Sequence, residues 1–502
     1  MGGGDAAALR HQAQMVNGAE ITASISDALR THLEWLAVYA EGRTFPLLAE
    51  EIEVEELPGR TLIGMHGDKG WRTWRVHSSR VDKGELHLEL SGSFGAERQN
   101  VRLVPRTPAA ELSREVELAR MIRVSEIAKL VETNFTGTNV TRAGLNEPNG
   151  RMAQIICESP QTTQWGVIAD VTDSLTPESL MASAFLWLDR LNSRRRKPIE
   201  SVWIAAERKQ AKSLRRLHTL LNRGAKARVT IVEIAGEEMR PLDEWPLSAL
   251  WREKPKKLSI PSEIVHTKTA RAIIGIDPEK IDVVRSKQGE TLRFLGLPFA
   301  RVRAMMGREA AWLGTSKTRR PLNLANEEQL RGLIDEMSGF RRPDTPNPRH
   351  EFYRASAEWW LESILRRNIQ LLDANLVLSP IYNQFRSSTD KIDLLALRRD
   401  GRLVIVELKT SPDREMVLQA ADYWRKIELQ RRRGVLAKAR LFGDREILDE
   451  PTLVYAAAPA LSFHRDFEYF ARKLAPEIEL WRFELHEAWR NEVKVIARKE
   501  YR

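Results

Sequence analysis

Cysteine is almost absent from this chain, whose 502 residues contain a single one, Cys157. A disulfide framework and a zinc site built from cysteines are therefore both excluded within one chain. Cys157 ends the apolar segment 153–157, which indicates a buried small hydrophobic side chain rather than a nucleophile. A reducing, cytoplasmic location is the expectation that fits this composition.

Long apolar runs and several common catalytic motifs are also missing. No run of about eighteen apolar residues occurs, so no membrane span is expected. The first residues have no basic stretch followed by an apolar one, which argues against a secretory signal. A P-loop and a His-Glu-x-x-His sequence are both lacking, so an in-chain ATPase motor and a zinc protease of that type are not expected.

The charge balance is basic. The chain has 79 Lys and Arg against 69 Asp and Glu, a formal net charge of +10. This excess is compatible with a polyanionic partner. Four basic clusters are candidate phosphate contacts, and they are residues 194–197 (with Arg194, Arg195 and Arg196), 254–257, 317–320 and 431–433 (Arg431, Arg432 and Arg433). Such clusters bind the nucleic-acid backbone without reading sequence, although most charge runs are simply solvated surfaces.

The hydrophobic pattern predicts a mixed α/β protein with several domains, since the chain is too long for one core. Residues 21–39 have helical spacing, whereas residues 85–90 alternate strictly and follow a turn at 82–84, as expected of strands. The predicted division is a disordered segment 1–20, a helix plus small β-module 21–110, an α/β domain 111–236, a linker and strand-rich module 237–348, and a second α/β domain 349–502.

The second α/β domain contains the most informative motif. Asp393 opens an apolar strand, a tight Asp400-Gly401 turn follows, and a second apolar strand ends in Glu407-Leu-Lys409. Residues two apart on a strand point to the same face, so Glu407 and Lys409 share one. The hairpin can bring Asp393 beside Glu407. Two carboxylates and a lysine would then meet at one end of a sheet.

Such a group has a chemical use. Two carboxylates suit Mg²⁺, which keeps several waters and phosphate oxygens. A bound metal ion lowers the pKa of water and stabilises charge on a scissile phosphate. A nearby ammonium group can orient the attacking water or stabilise the transition state. Glu-x-Lys is frequent by chance, but these charges end otherwise apolar strands, where an unpaired charge is costly.

The segment 349–502 resembles the PD-(D/E)XK nucleases, a restriction-endonuclease-like family with an αβββαβ core. Asp393, Glu407 and Lys409 fall on its Asp, Glu and Lys. Gln419 and Tyr423 match the Gln-x-x-x-Tyr of the RecB-type branch and share one helical face. The resemblance implies a Mg²⁺- or Mn²⁺-dependent enzyme that hydrolyses DNA, with a further metal ligand from the first helix, either Glu358 or Glu362.

The first α/β stretch repeats the order of the second and is interpreted as a degenerate copy. Residues 167–174 align with residues 404–411, which places Asp170 at Glu407 and Thr172 at Lys409. In this alignment Ala153 stands for Asp393, Ala182 for Gln419 and Leu186 for Tyr423. An unrelated α/β domain is the alternative, and two dissimilar strand orders would exclude the duplication.

Other functional interpretations remain open at this stage. One alternative is a non-catalytic nucleic-acid-binding or scaffold protein with a nuclease-like fold. Another is an RNA-directed or defence-system nuclease that acts with partner proteins. The module-plus-nuclease architecture also resembles some branched-DNA and mismatch endonucleases. The sequence does not distinguish single-stranded, duplex and branched DNA, RNA from DNA, endonuclease from exonuclease action, or a monomer from a homodimer.

Overall fold

The computed structural model describes residues 18–39, 42–57, 59–67, 70–92, 98–106, 109–193, 198–255, 265–286, 289–305, 308–315, 320–379 and 393–501. The chain forms two compact units, one running up to Ala211 and including Val229–Leu242, the other made of Lys212–Arg228 and Asp243–Arg502. The mixed α/β class predicted from the sequence is confirmed, and four sheets lie in the described ranges. Among these residues no helix has the length and apolarity needed to cross a bilayer.

The first sheet is an antiparallel β-module. Its strands are β1 (Glu34–Tyr39), β2 (Thr44–Leu48), β3 (Glu53–Leu57), β4 (Arg60–Gly67), β5 (Gly70–Asp82), β6 (Glu85–Ser91) and β7 (Arg98–Pro105). They are ordered β2-β1-β7-β6-β5-β4-β3. Helix α1 (18–30) packs Ile25 and Leu29 against the sheet, next to Trp35 and Trp74.

The predicted helix over residues 21–39 is wrong in its second half. Helix α1 ends at residue 30, and β1 follows after a short turn. In β1, Trp35, Ala37 and Tyr39 are buried and alternate with more exposed residues, which is strand periodicity. Leu33, expected on the apolar side of a helix, is 86% exposed in the turn. Helical spacing of leucines over two turns hid the shorter alternating segment.

The second sheet is the first of two α/β sheets in the chain. It contains β8 (Asn139–Leu145), β9 (Met152–Glu158), β10 (Gln164–Asp170), β11 (Val202–Glu207), β12 (Val229–Ala235) and β13 (Glu238–Pro241), with helices α2 (Ala109–Asn134), α3 (Pro177–Ser193), α4 (Arg208–Thr219) and α5 (Arg223–Lys226). Pro177 begins α3 as predicted, because its missing N–H costs nothing at the first helical position.

The third sheet is a second antiparallel module. It follows α6 (Leu247–Leu250) and α7 (Lys268–Ile274), consists of β14 (Ile281–Ser286), β15 (Gly289–Phe294), β16 (Leu297–Met305), β17 (Arg308–Leu313) and β18 (Arg320–Pro321), and precedes α8 (Glu327–Phe340). Its core packs Phe294 and Phe299 against Ile334 and Met337 of α8.

The fourth sheet carries the Asp–Glu–Lys motif. The elements are α9 (Glu351–Arg354), α10 (Ala357–Arg367), β19 (Leu376–Leu378), β20 (Leu394–Arg398), β21 (Leu403–Leu408), α11 (Met416–Arg432), α12 (Val435–Lys438), β22 (Leu453–Pro459), α13 (Phe467–Ala471), β23 (Leu480–Leu485) and β24 (Val495–Tyr501). Residues 352–372 have helical spacing, which predicts one helix, but the structure interrupts it at Ser356, whose φ of 50° is left-handed. Strand β24 was not predicted.

The two α/β sheets have the same topology. Their orders are β8-β9-β10-β11-β12-β13 and β19-β20-β21-β22-β23-β24. In each, the first three strands pair antiparallel, the next two pairings are parallel, and the last strand is antiparallel. Helices occupy the parallel connections in both. This is the shared strand order that the duplication hypothesis requires.

The segment between α8 and α9 contains three prolines, which predict a linker, but it is anchored by specific contacts at its start. Arg341, at the start of that segment, is 1% exposed. Its guanidinium donates hydrogen bonds to the carbonyls of Leu295, Phe352 and Ala355 at 2.6–3.0 Å. Gly296 has a φ of 85°, and a side chain there would collide with the Trp359 carbonyl. The strand-rich module is therefore fixed directly against the start of α10.

Candidate active site on the fourth sheet

The β20–β21 hairpin brings the predicted pair of carboxylates together. Gly401, with a φ of 92°, closes the turn between the two strands. Leu394 pairs with Val406, and continuing this register by one residue places Asp393 opposite Glu407. Asp393 Oδ2 accepts a hydrogen bond from the Leu408 N–H at 2.8 Å. The carboxylate of Asp393 is thereby anchored across the hairpin.

Glu407 is a buried carboxylate that is only half satisfied. Glu407 is 2% exposed, because every residue of β21 is buried. Oε1 lies 3.1 Å from Lys409 Nζ, whereas Oε2 is buried and has no hydrogen-bond partner among the described residues. Burial first, and the charge of Asp393 second, raise the pKa of Glu407 well above its ordinary value. A cation near Oε2 would offset both effects.

Lys409 lies among three carboxylates. Its Nζ is 3.1 Å from Glu407 Oε1, 3.3 Å from Asp413 Oδ2 and 3.9 Å from Glu358 Oε2. Burial alone would lower the pKa of Lys409, but the surrounding carboxylates outweigh it and raise the pKa above its ordinary value. The ammonium group therefore stays charged at neutral pH. It can stabilise negative charge, but it cannot accept a proton as a general base.

Asp413 is a site residue that the sequence analysis missed. Besides its ion pair with Lys409, its Oδ1 accepts a hydrogen bond from the Glu415 N–H at 2.7 Å. This contact fixes the loop between β21 and α11. The available signal was the position of Asp413 four residues after Lys409, in the loop at the functional end of the sheet.

The structure places the two helix glutamates differently. Glu358, in the first turn of α10, lies beside Lys409. Glu362 is 1% exposed, and its Oε1 is 3.5 Å from Arg293 Nη2 and 3.9 Å from Arg366 Nη1. The geometry therefore favours Glu358 over Glu362 as the acidic residue that α10 contributes to the site.

Matched substitutions separate these two roles. Glu358→Gln is expected to lower metal-dependent cleavage by about 10–100-fold with little change in stability, because it removes a partly exposed charge beside the site. Glu362→Gln is expected to lower stability by about 1–3 kcal/mol, because Arg293 loses a buried charged partner, and to keep the cleavage rate per folded molecule. Urea unfolding and initial cleavage rates measure the two effects. Loss of cleavage in folded Glu362→Gln would reverse the assignment.

Glu362 belongs to a buried charge network that joins the strand-rich module to α10. Arg293 on β15 donates from Nε to Asp282 Oδ1 at 2.8 Å, and Ser363 Oγ donates to Asp282 Oδ2 at 2.8 Å. Arg366 adds a contact to Asp282 at 3.4 Å. Burial would raise the pKa of Asp282, but these partners lower it overall. The module thus holds the helix that presents Glu358.

Removing the central cation of this network should be costly. Arg293→Met is expected to lower the free energy of unfolding by about 3–5 kcal/mol, because Asp282 and the buried Glu362 lose one of the two arginines that they share. The urea midpoint measures this loss. Arg308→Met, which changes an exposed arginine on β17 of the same module, should stay within about 0.5 kcal/mol of wild type. Equal midpoints for the two variants would mean that the network contributes nothing to stability.

Gln419 and Tyr423 lie on α11, the helix that connects β21 to β22. Both side chains are half-buried, and Lys426 Nζ lies 5.2 Å from the centre of the Tyr423 ring. Their spacing puts them on one face of α11, as the sequence indicated. Their role in positioning DNA or Lys409 stays a prediction.

The arginine cluster at the end of α11 does not have the placement expected of phosphate contacts. Arg431 is 8% exposed, and it binds Glu428 at 2.6 Å and also pairs with Asp449. Arg432 shares the buried Glu428 at 2.7 Å. Arg433 donates to the Trp251 carbonyl at 2.8 Å. These arginines have internal partners, and their role as phosphate contacts stays a prediction. Arg194, Arg195 and Arg196 lie outside the described residues.

The donor set can be tested against a divalent metal ion. Within the described part of the chain, no three or more His, Cys, Asp or Glu side chains are arranged to hold an ion by themselves. Mg²⁺, however, is commonly held by one or two carboxylates together with waters and substrate phosphates. Asp393 and Glu407 supply two, and the buried Oε2 of Glu407 lacks a partner among described residues. The residues therefore fit a hard divalent cation.

Comparisons with known proteins add little. No protein-family model matches the chain, and no curated protein sequence matches it. A solved structure titled "Structure of EndoMS in apo form" aligns with 42% of this chain and 92% of its own, at 10% identity and a TM-score of 0.15. A likeness at this level carries no argument about fold or activity.

Proposed function

We propose that this chain is a Mg²⁺- or Mn²⁺-dependent nuclease that hydrolyses phosphodiester bonds of DNA, with a C-terminal domain of the RecB-type PD-(D/E)XK kind. The observation that carries the proposal is the buried Glu407 opposite Asp393, with one carboxylate oxygen lacking a protein partner among the described residues. Buried polar atoms in folded proteins are usually hydrogen-bonded. A ligand for a cation would be expected to keep one available.

The proposed roles follow from the geometry. Asp393 and Glu407 would hold the ion, with Glu358 at the border of the site. When bound, the ion would supply Lewis-acid stabilisation of phosphate charge and a more acidic water. Lys409, charged because of its carboxylate neighbours, would stabilise charge that develops on the phosphate. Asp413 would hold the ammonium group in place, and Asp393 would stay oriented by the Leu408 N–H.

The test uses the full chain with labelled single-stranded, duplex and flap DNA, and with single-stranded RNA. Cleavage of DNA is expected with Mg²⁺ or Mn²⁺ and is expected to stop with EDTA. Glu407→Gln should abolish it, while Glu450→Gln, at a side chain that is 56% exposed, should not. The RNA substrate distinguishes the DNA proposal from an RNA-directed enzyme.

The rival interpretation makes a different prediction in the same assay. A non-catalytic nucleic-acid-binding protein would bind the probes in a salt-sensitive manner and cleave none of them. Cleavage that persists in Glu407→Gln would place the activity elsewhere or in a contaminant. Either result would refute the proposed site.

A further inference from the structure

The two α/β sheets share a topology but differ in chemistry at equivalent positions. Asp170 ends β10 as Glu407 lies near the end of β21, each in the third strand of its sheet. Thr172 and Lys409 each follow two residues later. The two α/β sheets therefore correspond residue by residue at these positions. Every position from 152 to 175 lies within the described residues.

In the first α/β sheet, formed by β8–β13, both oxygens of the remaining carboxylate, Asp170, accept hydrogen bonds from its own loop. Asp170 Oδ1 accepts hydrogen bonds from the Thr172 N–H and the Thr172 hydroxyl, both at 2.8 Å. Its Oδ2 accepts from the Leu175 N–H at 2.8 Å. Glu407, by contrast, has an oxygen without a hydrogen-bond partner among the described residues. Asp170 therefore stabilises the loop that leads into α3, as a structural residue does.

Asp393 and Lys409 have no carboxylate or lysine counterpart at the equivalent positions of the first α/β sheet. Met152 pairs with Asp170, and the equivalent pairing in the fourth sheet places Asp393 opposite Glu407. The structural counterpart of Asp393 is thus Met152, one residue before the Ala153 indicated by the sequence alignment. At the position of Lys409, Thr172 offers a hydroxyl that is already bonded to Asp170.

The helix before each sheet differs as well. In the fourth sheet α10 brings the acidic Glu358 to the site. In the second sheet α2 brings Arg120, which is 7% exposed and donates to the carbonyls of Asn149 and Gly150. Burial and the charge of Arg151 lower the pKa of Arg120, while Asp170 raises it. Arg120 of α2 therefore binds a turn, whereas Glu358 of α10 lies beside Lys409.

The fourth sheet presents Asp393, Glu407 and Lys409 together, whereas the described residues of the first α/β sheet present no equivalent group. From this difference we infer that the protein is a nicking enzyme, which breaks one strand of duplex DNA per encounter. The inference rests on the proposed nuclease function. One hydrolysis adds one water across one phosphodiester bond, with the new oxygen on phosphorus and the proton on the leaving oxygen. One set of catalytic groups acts on one strand at a time, so a second cut needs either a second set of groups or rebinding of the DNA with its other strand in the site. The described residues of the first α/β sheet do not provide a second set.

Supercoiled plasmid in excess over the full chain, with Mn²⁺ present, tests the inference. Nicked circles should account for nearly all early product, and linear DNA should appear only after most plasmid is nicked. Linear DNA from the first time points would overturn the inference while leaving the nuclease proposal standing, as expected if two chains act as a homodimer. No cleavage at all would refute the nuclease proposal and the inference with it.

A matched pair of substitutions tests the asymmetry between the sheets. Thr172→Val keeps the side-chain shape, removes the hydroxyl bond to Asp170 and should nick at the wild-type rate. Lys409→Met should lower nicking by about 10²–10³-fold. Circular dichroism verifies that both variants are folded. Loss of nicking in folded Thr172→Val would show that the first α/β sheet takes part in the chemistry, and would contradict the inference.

Discussion

Asp393→Asn is expected to lower metal-dependent DNA cleavage by on the order of 10³-fold, because the ion loses one of its two charged ligands. The substitution keeps the fold, since an asparagine oxygen can still accept the hydrogen bond that Leu408 N–H donates to Asp393 at 2.8 Å. It also removes one of the charges that raise the pKa of Glu407. Glu407 therefore ionises more readily in the variant, and its protonation cannot explain the loss.

The matched control is Asp400→Asn, at the other end of the same hairpin. Asp400 pairs with Arg398 and accepts a hydrogen bond from the Arg402 N–H at 3.1 Å, and its side chain is 44% exposed. This variant is expected to cleave at the wild-type rate after a modest loss of stability. Initial rates under saturating Mg²⁺ compare the two. Equal activity of Asp393→Asn and wild type would remove Asp393 from the site.

Lys409→Met is expected to lower cleavage by about 10²–10³-fold, because a charged donor among the site carboxylates is lost. The variant should also lose stability in the absence of metal, since Glu407, Glu358 and Asp413 then repel one another without a cation between them. Added Mn²⁺ should for this reason raise the Tm of Lys409→Met by more than it raises the Tm of wild type.

Lys409→Arg separates charge from geometry. Arginine keeps the positive charge and the fold, but its planar guanidinium cannot reproduce a compact ammonium among three carboxylates. The expected result is near-wild-type stability with a cleavage rate well below wild type. Full activity in Lys409→Met, or a Tm response to Mn²⁺ identical to that of wild type, would show that the lysine is not part of a metal-dependent site.

Local patterns predicted most of the second α/β domain. The hairpin could be anticipated because apolar strands flank an Asp-Gly turn, and a tight turn fixes which residues face each other. Helix α11 followed from its length and spacing. The N-terminal prediction failed because the leucines of residues 29–36 satisfy helical spacing by chance, while the alternation in β1 covers only six residues.

Contacts between distant parts of the chain could not be read from the sequence. Glu358 and Glu362 share a helical face, and their fates differ only because Arg293, far upstream in another module, reaches Glu362. The sequence suggested that Arg431 is a surface cation. In the structure it forms a buried ion pair with Glu428, one helical turn earlier on a packed face of α11. Ion pairs of this kind depend on tertiary packing, which spacing along one helix does not encode.

Strand register explains why the sequence alignment and the structure assign different counterparts to Asp393. The sequence alignment of the second strands put Ala153 in the place of Asp393, whereas the pairing of β9 with β10 puts Met152 there. A one-residue shift moves a side chain to the opposite face of a sheet. Neither Ala153 nor Met152 is a carboxylate, so the first α/β sheet has none at this position. An experiment on the counterpart of Asp393 must substitute Met152.

Calorimetric titration of Mn²⁺ into the metal-free protein tests the central claim most directly, because it needs neither the right DNA substrate nor a partner. We expect Mn²⁺ to bind saturably to wild type and to Asp400→Asn. We expect this binding to be lost in both Asp393→Asn and Glu407→Gln. Binding of equal affinity in all four proteins would contradict a metal site between Asp393 and Glu407.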